Sequence, residues 1–204
     1  MKSSDTYLTI KSFSRGIYRE KGSRFIGMAY PVNMKEEVKI IMDKIRREFH
    51  DARHYCYAYM LGHKRLLWKV NDDGEPSGSA GKPILGQINS YGLTNILIVV
   101  VRYFGGTLLG VGGLINAYKS AAHYAIDSAE IIELFIREYH EITYPYSSMN
   151  EVMKILKEEN IDHSGHKYDL GCSMSINFRL SSRLRVLERL AGVQGMNMKY
   201  IETR

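Results

Sequence analysis

The sequence predicts an α+β fold in two domains, on three observations. Ile96 to Val101 is the longest apolar run, and it is mostly β-branched, as a central buried strand requires. The stretch Asn71 to Tyr118 around it holds 10 of the 18 glycines, a density that implies shaped loops rather than a linker. Past Glu130 the pattern changes: residues 137–204 have only four glycines and alternate between strand and helix periods in the order βαββαβ, the ferredoxin-like plan. The expected domains are therefore 1–134 and 135–204.

In chain order, Thr6 to Ile10 with an irregular continuation and Arg24 to Val32 read as extended, with Glu20, Lys21 and Gly22 as a turn between them. A helix follows. Asn33 is placed to cap it, with Glu36 three residues on as in a capping box, and Met34, Val38, Ile41, Met42, Ile45 and Phe49 recur at helical spacing. Its other face carries Lys35, Lys39, Lys44, Arg46 and Arg47 among acids and reads as a solvated face.

Two strands, His54–Leu61 and Leu66–Val70, are joined by a turn at Gly62 and His63. Tyr55, Tyr57 and Tyr59 share one face of the first strand and His54, Cys56, Ala58 and Met60 the other. On an open sheet beside Arg53, Lys64 and Arg65 these tyrosines would stack bases. The plainer reading, that a helix covers them, is preferred. A short helix is expected over Lys82–Ser90, then a strand over Asn95–Tyr103 ending in Arg102, then a glycine loop and a helix over Leu114–Ala129, rich enough in Ala and Ser to lie close on a sheet.

The second domain is expected as strand 138–144, helix 147–159 with Met149, Val152, Met153 and Leu156 inward, strands 161–168 and 173–180, helix 182–191 and strand 196–201.

Charge favours an anionic partner. The net charge is +6, and residues 1–136 hold 18 Lys and Arg against 13 Asp and Glu, whereas residues 137–204 hold 10 against 9. No window reaches the length of a membrane span, and MKSSDTYLTIKS lacks the apolar run of a secretory signal, so a cytoplasmic protein is expected. Cys56 and Cys172 have no partner spacing and read as reduced core residues.

The motifs exclude more than they assign. Gly105, Gly106, Gly110, Gly112 and Gly113 follow a buried strand and open a helix, the setting for an anion on a helix N-terminus. Yet GGxxxGxGG is neither GxGxxG nor GxxxxGK[ST], and tight helix-on-strand packing explains these glycines nearly as well as a phosphate does. Asp72, Asp73 and Glu75 lack calcium-loop spacing and read as a turn and helix cap; no metal site is expected. Ser77 and Ser79 look exposed but lack GxSxG, and a His54–Cys56 thiolate pair is less favoured than a small-residue core face, so no catalytic residue is assigned.

The runs Asp72-Asp73-Gly74-Glu75-Pro76-Ser77-Gly78-Ser79-Ala80-Gly81-Lys82-Pro83, Val99–Gly106, Leu109–Leu114 and Ala117-Tyr118, with Ala52–Cys56, closely resemble the signature of the Impact/YigZ family over about residues 12–128. The resemblance implies an α/β domain like the second domain of ribosomal protein S5, followed by a ferredoxin-like domain like the last domain of elongation factor G. Eukaryotic members restrain the amino-acid-starvation kinase pathway and so act on translation, using an RWD domain that these 204 residues do not contain. Asn116 stands where the family often has Arg, which leaves any anion site to Arg102, Lys82 and Lys119.

The functional expectation is a translation-linked, non-enzymatic protein without a cofactor. It would bind RNA or a ribosomal component through the glycine loops and Arg102, Lys82, Arg53, Lys64, Arg65 and Lys119. The alternatives are a nucleotide-dependent enzyme of the S5-like kinase type, with Pro76–Gly81 as phosphate loop, and a module that docks a regulatory protein through the second domain.

Overall fold

The computed structural model describes residues 5–204; residues 1–4, which open the segment read for a secretory signal, lie outside the described residues. The architecture is α+β, and the chain divides into two units. One is Tyr7–Leu134; the other is Phe135–Arg204 together with residues 5 and 6.

The first unit is built on a five-stranded sheet, with strands β2 (Ser14–Glu20), β3 (Ser23–Pro31), β4 (His54–Leu61), β5 (Leu67–Asn71) and β6 (Ile96–Tyr103) in the order β2-β3-β6-β4-β5. All four pairings are antiparallel. The β-branched run lies in the middle, and Ile96 to Val101 are all 0 % exposed because both faces are covered. At about 1.5–3 kcal/mol per buried aliphatic side chain, this one strand supplies on the order of 10 kcal/mol of burial.

Helix α1 (Lys35–Glu48) covers one face, with Val38, Met42 and Ile45 packed on Ile26, Met28, Tyr55, Tyr59, Leu97 and Val99. Helices α2 (Gly81–Ser90) and α3 (Gly110–Asp127) cover the other, on Phe25, Cys56, Ala58, Ile98 and Val100. The tyrosine face is thus the one that α1 covers.

Three local readings shift. The irregular continuation is strand β2, turned into β3 through Lys21 and Gly22, both at positive φ as a two-residue hairpin of this twist requires. Asn33 does not cap α1; Met34 holds that position without a side-chain cap, and it is Glu37 that reaches back, its carboxylate accepting from the Asn33 N–H at 2.7 Å. Asn95 sits at φ 52, so β6 starts one residue later, and its side chain accepts from the Gly62 N–H at 2.7 Å. A short strand unmarked in the sequence, β7 (Ile131–Phe135), pairs with β1 (Thr6–Ile10) in a separate two-stranded sheet.

The second unit holds β8 (Arg137–Tyr144), α4 (Met149–Glu158), β9 (Asp162–Tyr168), β10 (Cys172–Arg179), α5 (Arg183–Ala191) and β11 (Asn197–Thr203). Its sheet order is β11-β8-β10-β9, antiparallel throughout. Alternation along β8 and β10 puts Ile142, Tyr144, Met174, Ile176 and Phe178 in a core with Val152, Ile155, Leu156, Val186 and Leu190. Met153, expected inward, is 37 % exposed; Ile155, two residues on and on the opposite side of the helix, is buried instead. Asp5 is held to this unit by a two-pronged contact from Arg179, which, with further hydrogen bonding from Ser181, draws its pKa down to about 2.

Candidate nucleic-acid interface

The signature loop between β5 and α2 is folded around its own first carboxylate. Asp72 accepts hydrogen bonds from the N–H groups of Gly78 (2.8 Å), Ala80 (3.0 Å) and Gly81 (2.8 Å). Desolvation raises its pKa, but these three donors and the nearby Lys82 charge outweigh that and hold it below the ordinary carboxylate value. The cap expected of this acidic cluster is therefore formed by Asp72, at the N-terminus of α2. Asp72 thus occupies three N–H groups that an incoming phosphate would otherwise use there. Ser79, read as exposed, is fully buried and donates to the Pro76 carbonyl at 2.6 Å; Ser77 is exposed.

Asp73 (φ 42) and Gly74 (φ 86) make the turn that sends the chain back over β4. The Asp73 carboxylate accepts from the Tyr55 N–H at 2.7 Å, and its carbonyl lies 2.9 Å from His54 Nδ1. Glu75 then points inward. Its Oε1 accepts from Arg102 at 2.6 Å and from the Tyr118 hydroxyl at 2.8 Å, with side chains of Glu75 and Arg102 only 4 % and 7 % exposed. The Arg102 guanidinium also lies between the rings of Phe25 (5.4 Å) and Phe104 (5.6 Å). Cys56 closes the network, donating to the Asp72 carbonyl at 2.9 Å and lying 3.3 Å from the Tyr118 hydroxyl. Burial pushes its thiol well above the ordinary value, so the Cys56 thiolate reading has no support.

These contacts correct the sequence-derived anion site. Arg102 is a buried structural cation neutralised by Glu75, not a phosphate-facing one. Lys82 lies along Gly78 beside Asp72, with its chain 3.4 Å from where a Gly78 Cβ would stand. Arg53 precedes β4 at the same end of the sheet, since His54 pairs with Arg102. Lys64 and Arg65 follow Leu61 at the far end of β4, and Arg65 donates to Asn89 at the end of α2. About seven residues at roughly 3.3 Å each separate the two ends, so the cations do not form one surface.

The glycines also separate. Gly105 is a packing residue: a Cβ there would lie 1.9 Å from the Gly22 carbonyl carbon. Gly106 (φ 87) and Gly110 (φ 70) serve the backbone turn, and α3 begins at Gly110, a turn earlier than expected, so Gly112 and Gly113 are helical. Lys119 is exposed farther along α3. A Cβ on Gly112 would meet nothing within 4 Å. Gly112→Ala is therefore expected to raise stability by about 0.5–1 kcal/mol in urea unfolding, because alanine is the better helix former; a loss would mean that packing, not space for a partner, keeps this glycine.

The structure brings forward a different cationic feature. Between α1 and the β4–β5 edge runs a groove of about 320 Å³, lined by Lys35, Lys39, Arg46 and Lys69 with Tyr57, Tyr59 and Asn71. Lys35, Lys39 and Arg46 follow one flank of α1 at helical spacing. Tyr57 pairs with Asn71 and Tyr59 with Lys69, so these side chains share the face towards α1. Tyr59 is buried and Tyr57 half-buried, and their rings stack at 6.5 Å and 7°. Lys35, Lys39 and Arg46 were visible in the sequence as part of a solvated face. Their meeting with Tyr57 depends on how α1 crosses the sheet, which no local pattern encodes. Asp43 also lines the groove, and Arg46 is shared with Asp73 at 3.4 Å. Among the described residues, no group of three or more His, Cys, Asp and Glu could hold a metal ion, and no helix is long and apolar enough to cross a membrane.

The Impact N-terminal domain family matches residues 21–126. The chain is 33% identical over 153 residues to the IMPACT family member YvyE of Bacillus subtilis, covering 75% of this chain and 70% of that protein. It is 39% identical over 132 residues to YigZ of Escherichia coli, covering 60% and 65%. The mouse protein IMPACT is 31% identical over 96 residues, 45% of this chain and 30% of that protein. A crystal structure of a hypothetical protein superposes with TM-score 0.76 at 27% identity, covering 98% of this chain and 99% of that one. With its first unit matched almost throughout and its bacterial relatives aligned over most of their length, the chain belongs to the Impact family.

Proposed function

We propose that the protein is an RNA-binding protein acting on translation, and that the groove between α1 and β4–β5 holds single-stranded RNA. The observation that carries this is the meeting of Lys35, Lys39 and Lys69 with Tyr57 in one groove. Cations that track a backbone and an aromatic ring that takes a base are the two requirements of sequence-tolerant single-strand binding. The positive balance of residues 1–136 adds steering. The link to translation rests on the similarity to eukaryotic IMPACT proteins. A binding role is favoured over phosphoryl transfer because Asp72 occupies the N–H donors that Pro76–Gly81 would turn to a phosphate.

The test is binding of a labelled single-stranded RNA oligonucleotide across a salt series. Replacing Lys35, Lys39 and Lys69 together by Ala is expected to weaken binding at least tenfold and to flatten the log–log salt slope by about 2, at roughly 0.7 per phosphate contact on a single strand. Tyr57→Ala is expected to cost about 1–3 kcal/mol of binding without changing the slope. Wild type that fails to bind at low salt, or a triple variant that binds like wild type, ends this reading.

A further inference from the structure

In the second unit, strand β9 lies at the edge of the sheet and is exposed along its whole length. In a regular strand His163 and His166, three residues apart, would point to opposite faces. They do not, because β9 carries a bulge. Pairing runs His163↔Ile176 and Ser164↔Ser175, then resumes at Lys167↔Ser173, so Gly165 and His166 together face Met174. Gly165 takes φ 67, the left-handed conformation such a bulge needs and glycine supplies at no steric cost. The extra residue returns His166 to the face of His163. The two imidazoles meet with Nδ1 of His163 2.9 Å from Nε2 of His166, ring planes at 86° and centroids 5.0 Å apart.

We infer that His163 and His166 form a chelating site for a divalent transition-metal ion of the copper or nickel class. Two nitrogens each about 2.0 Å from one ion and at a right angle stand about 2.9 Å apart, whereas a tetrahedral site spreads them to about 3.3 Å. The observed spacing is that of adjacent ligands in a tetragonal site. Without metal, one ring donates its proton to the other across this distance. On binding, that proton moves to the outer nitrogen of its own ring, both inner lone pairs turn to the ion, and no net proton is released. The outer Nδ1 of His166 faces the Tyr168 hydroxyl at 3.4 Å, with the two rings stacked at 24°, and this neighbour steers the ring from behind as outer partners of metal-bound histidines do. The remaining coordination positions open to solvent. The site lies outside the RNA groove, so neither reading depends on the other.

The experiment is titration of tag-free full-length protein with Cu²⁺ against a competing chelator, with electron paramagnetic resonance to count coordinated nitrogens. One ion per chain with two imidazole nitrogens is expected, and His163→Ala and His166→Ala should each weaken it at least tenfold. Gly165→Val should weaken it while keeping both histidines, because a β-branched residue resists φ 67 and, without the bulge, the three-residue spacing puts the two rings on opposite faces. His63→Ala and His123→Ala should leave affinity unchanged. Equal affinity in wild type and the His163→Ala and His166→Ala variants, or full affinity in Gly165→Val, would overturn the inference.

Discussion

Glu75→Ala is expected to destabilise the first unit by about 3–5 kcal/mol, the cost of leaving one member of a buried ion pair without the other. The pair is 27 residues apart in sequence and almost wholly shielded, at 2.6 Å. Removal of the carboxylate leaves Arg102 between two aromatic rings, still charged, since guanidinium does not release its proton at any ordinary pH. The mirror variant differs. Arg102→Met leaves Glu75, which can take up a proton and keep its bond with Tyr118. Arg102→Met should therefore cost less than Glu75→Ala, and a Glu75→Met, Arg102→Met double variant less than the sum of the two. Trp68, the only tryptophan, lies in β5 of this unit, so its fluorescence in urea reads the effect directly. A midpoint fall of roughly 10–20 °C in thermal unfolding should accompany the largest change. A loss under 1 kcal/mol for Glu75→Ala, or the reverse order of the two single variants, would show that the pair is not a stability element.

Gly27→Ala should be the most damaging single-methyl change in the sheet. A Cβ at Gly27 would stand 2.2 Å from the carbonyl oxygen of Ala121 and 2.8 Å from its carbon, so the obstacle is the backbone of α3 itself. Gly16 meets Tyr124 and Ala125 in the same way. Relief requires α3 to lift by about 1 Å from the β2–β3 hairpin, and overpacking of this kind costs about 3 kcal/mol. Because the atoms struck belong to the main chain, a second change of Ala121→Gly should not restore stability. Rescue by Ala121→Gly would show that the clash is with a side chain and that the helix can give way.

Much of the fold was legible because it rests on local periodicity. Ile96–Val101 announced a strand covered on both faces, and the alternating periods after residue 137 announced a helix-backed sheet. The small residues of α3 announced close approach to the sheet, and Gly16 and Gly27 are its other half. What stayed hidden depends on partners distant in sequence. Strand β7 is only five residues long and is defined by β1, far away in the chain. Arg102, at the end of a strand in a glycine-rich region, has the look of an anion ligand until Glu75 is found against it. Lys35 and Lys39 resemble any solvated flank until Tyr57 and Lys69 appear across the groove. Charge is read from composition, but whether a charge is free is settled by tertiary contacts.

Asp72 gives the loop that follows it a built-in competitor. Its carboxylate sits on N–H groups only six to nine residues away along the same chain, so its effective concentration there is of order millimolar or higher. An anion from solution must exceed that level before it gains the first hydrogen bond. The glycine-rich segment is therefore a receptor saturated by its own side chain. Dissolved phosphate at lower concentrations leaves its shape unchanged.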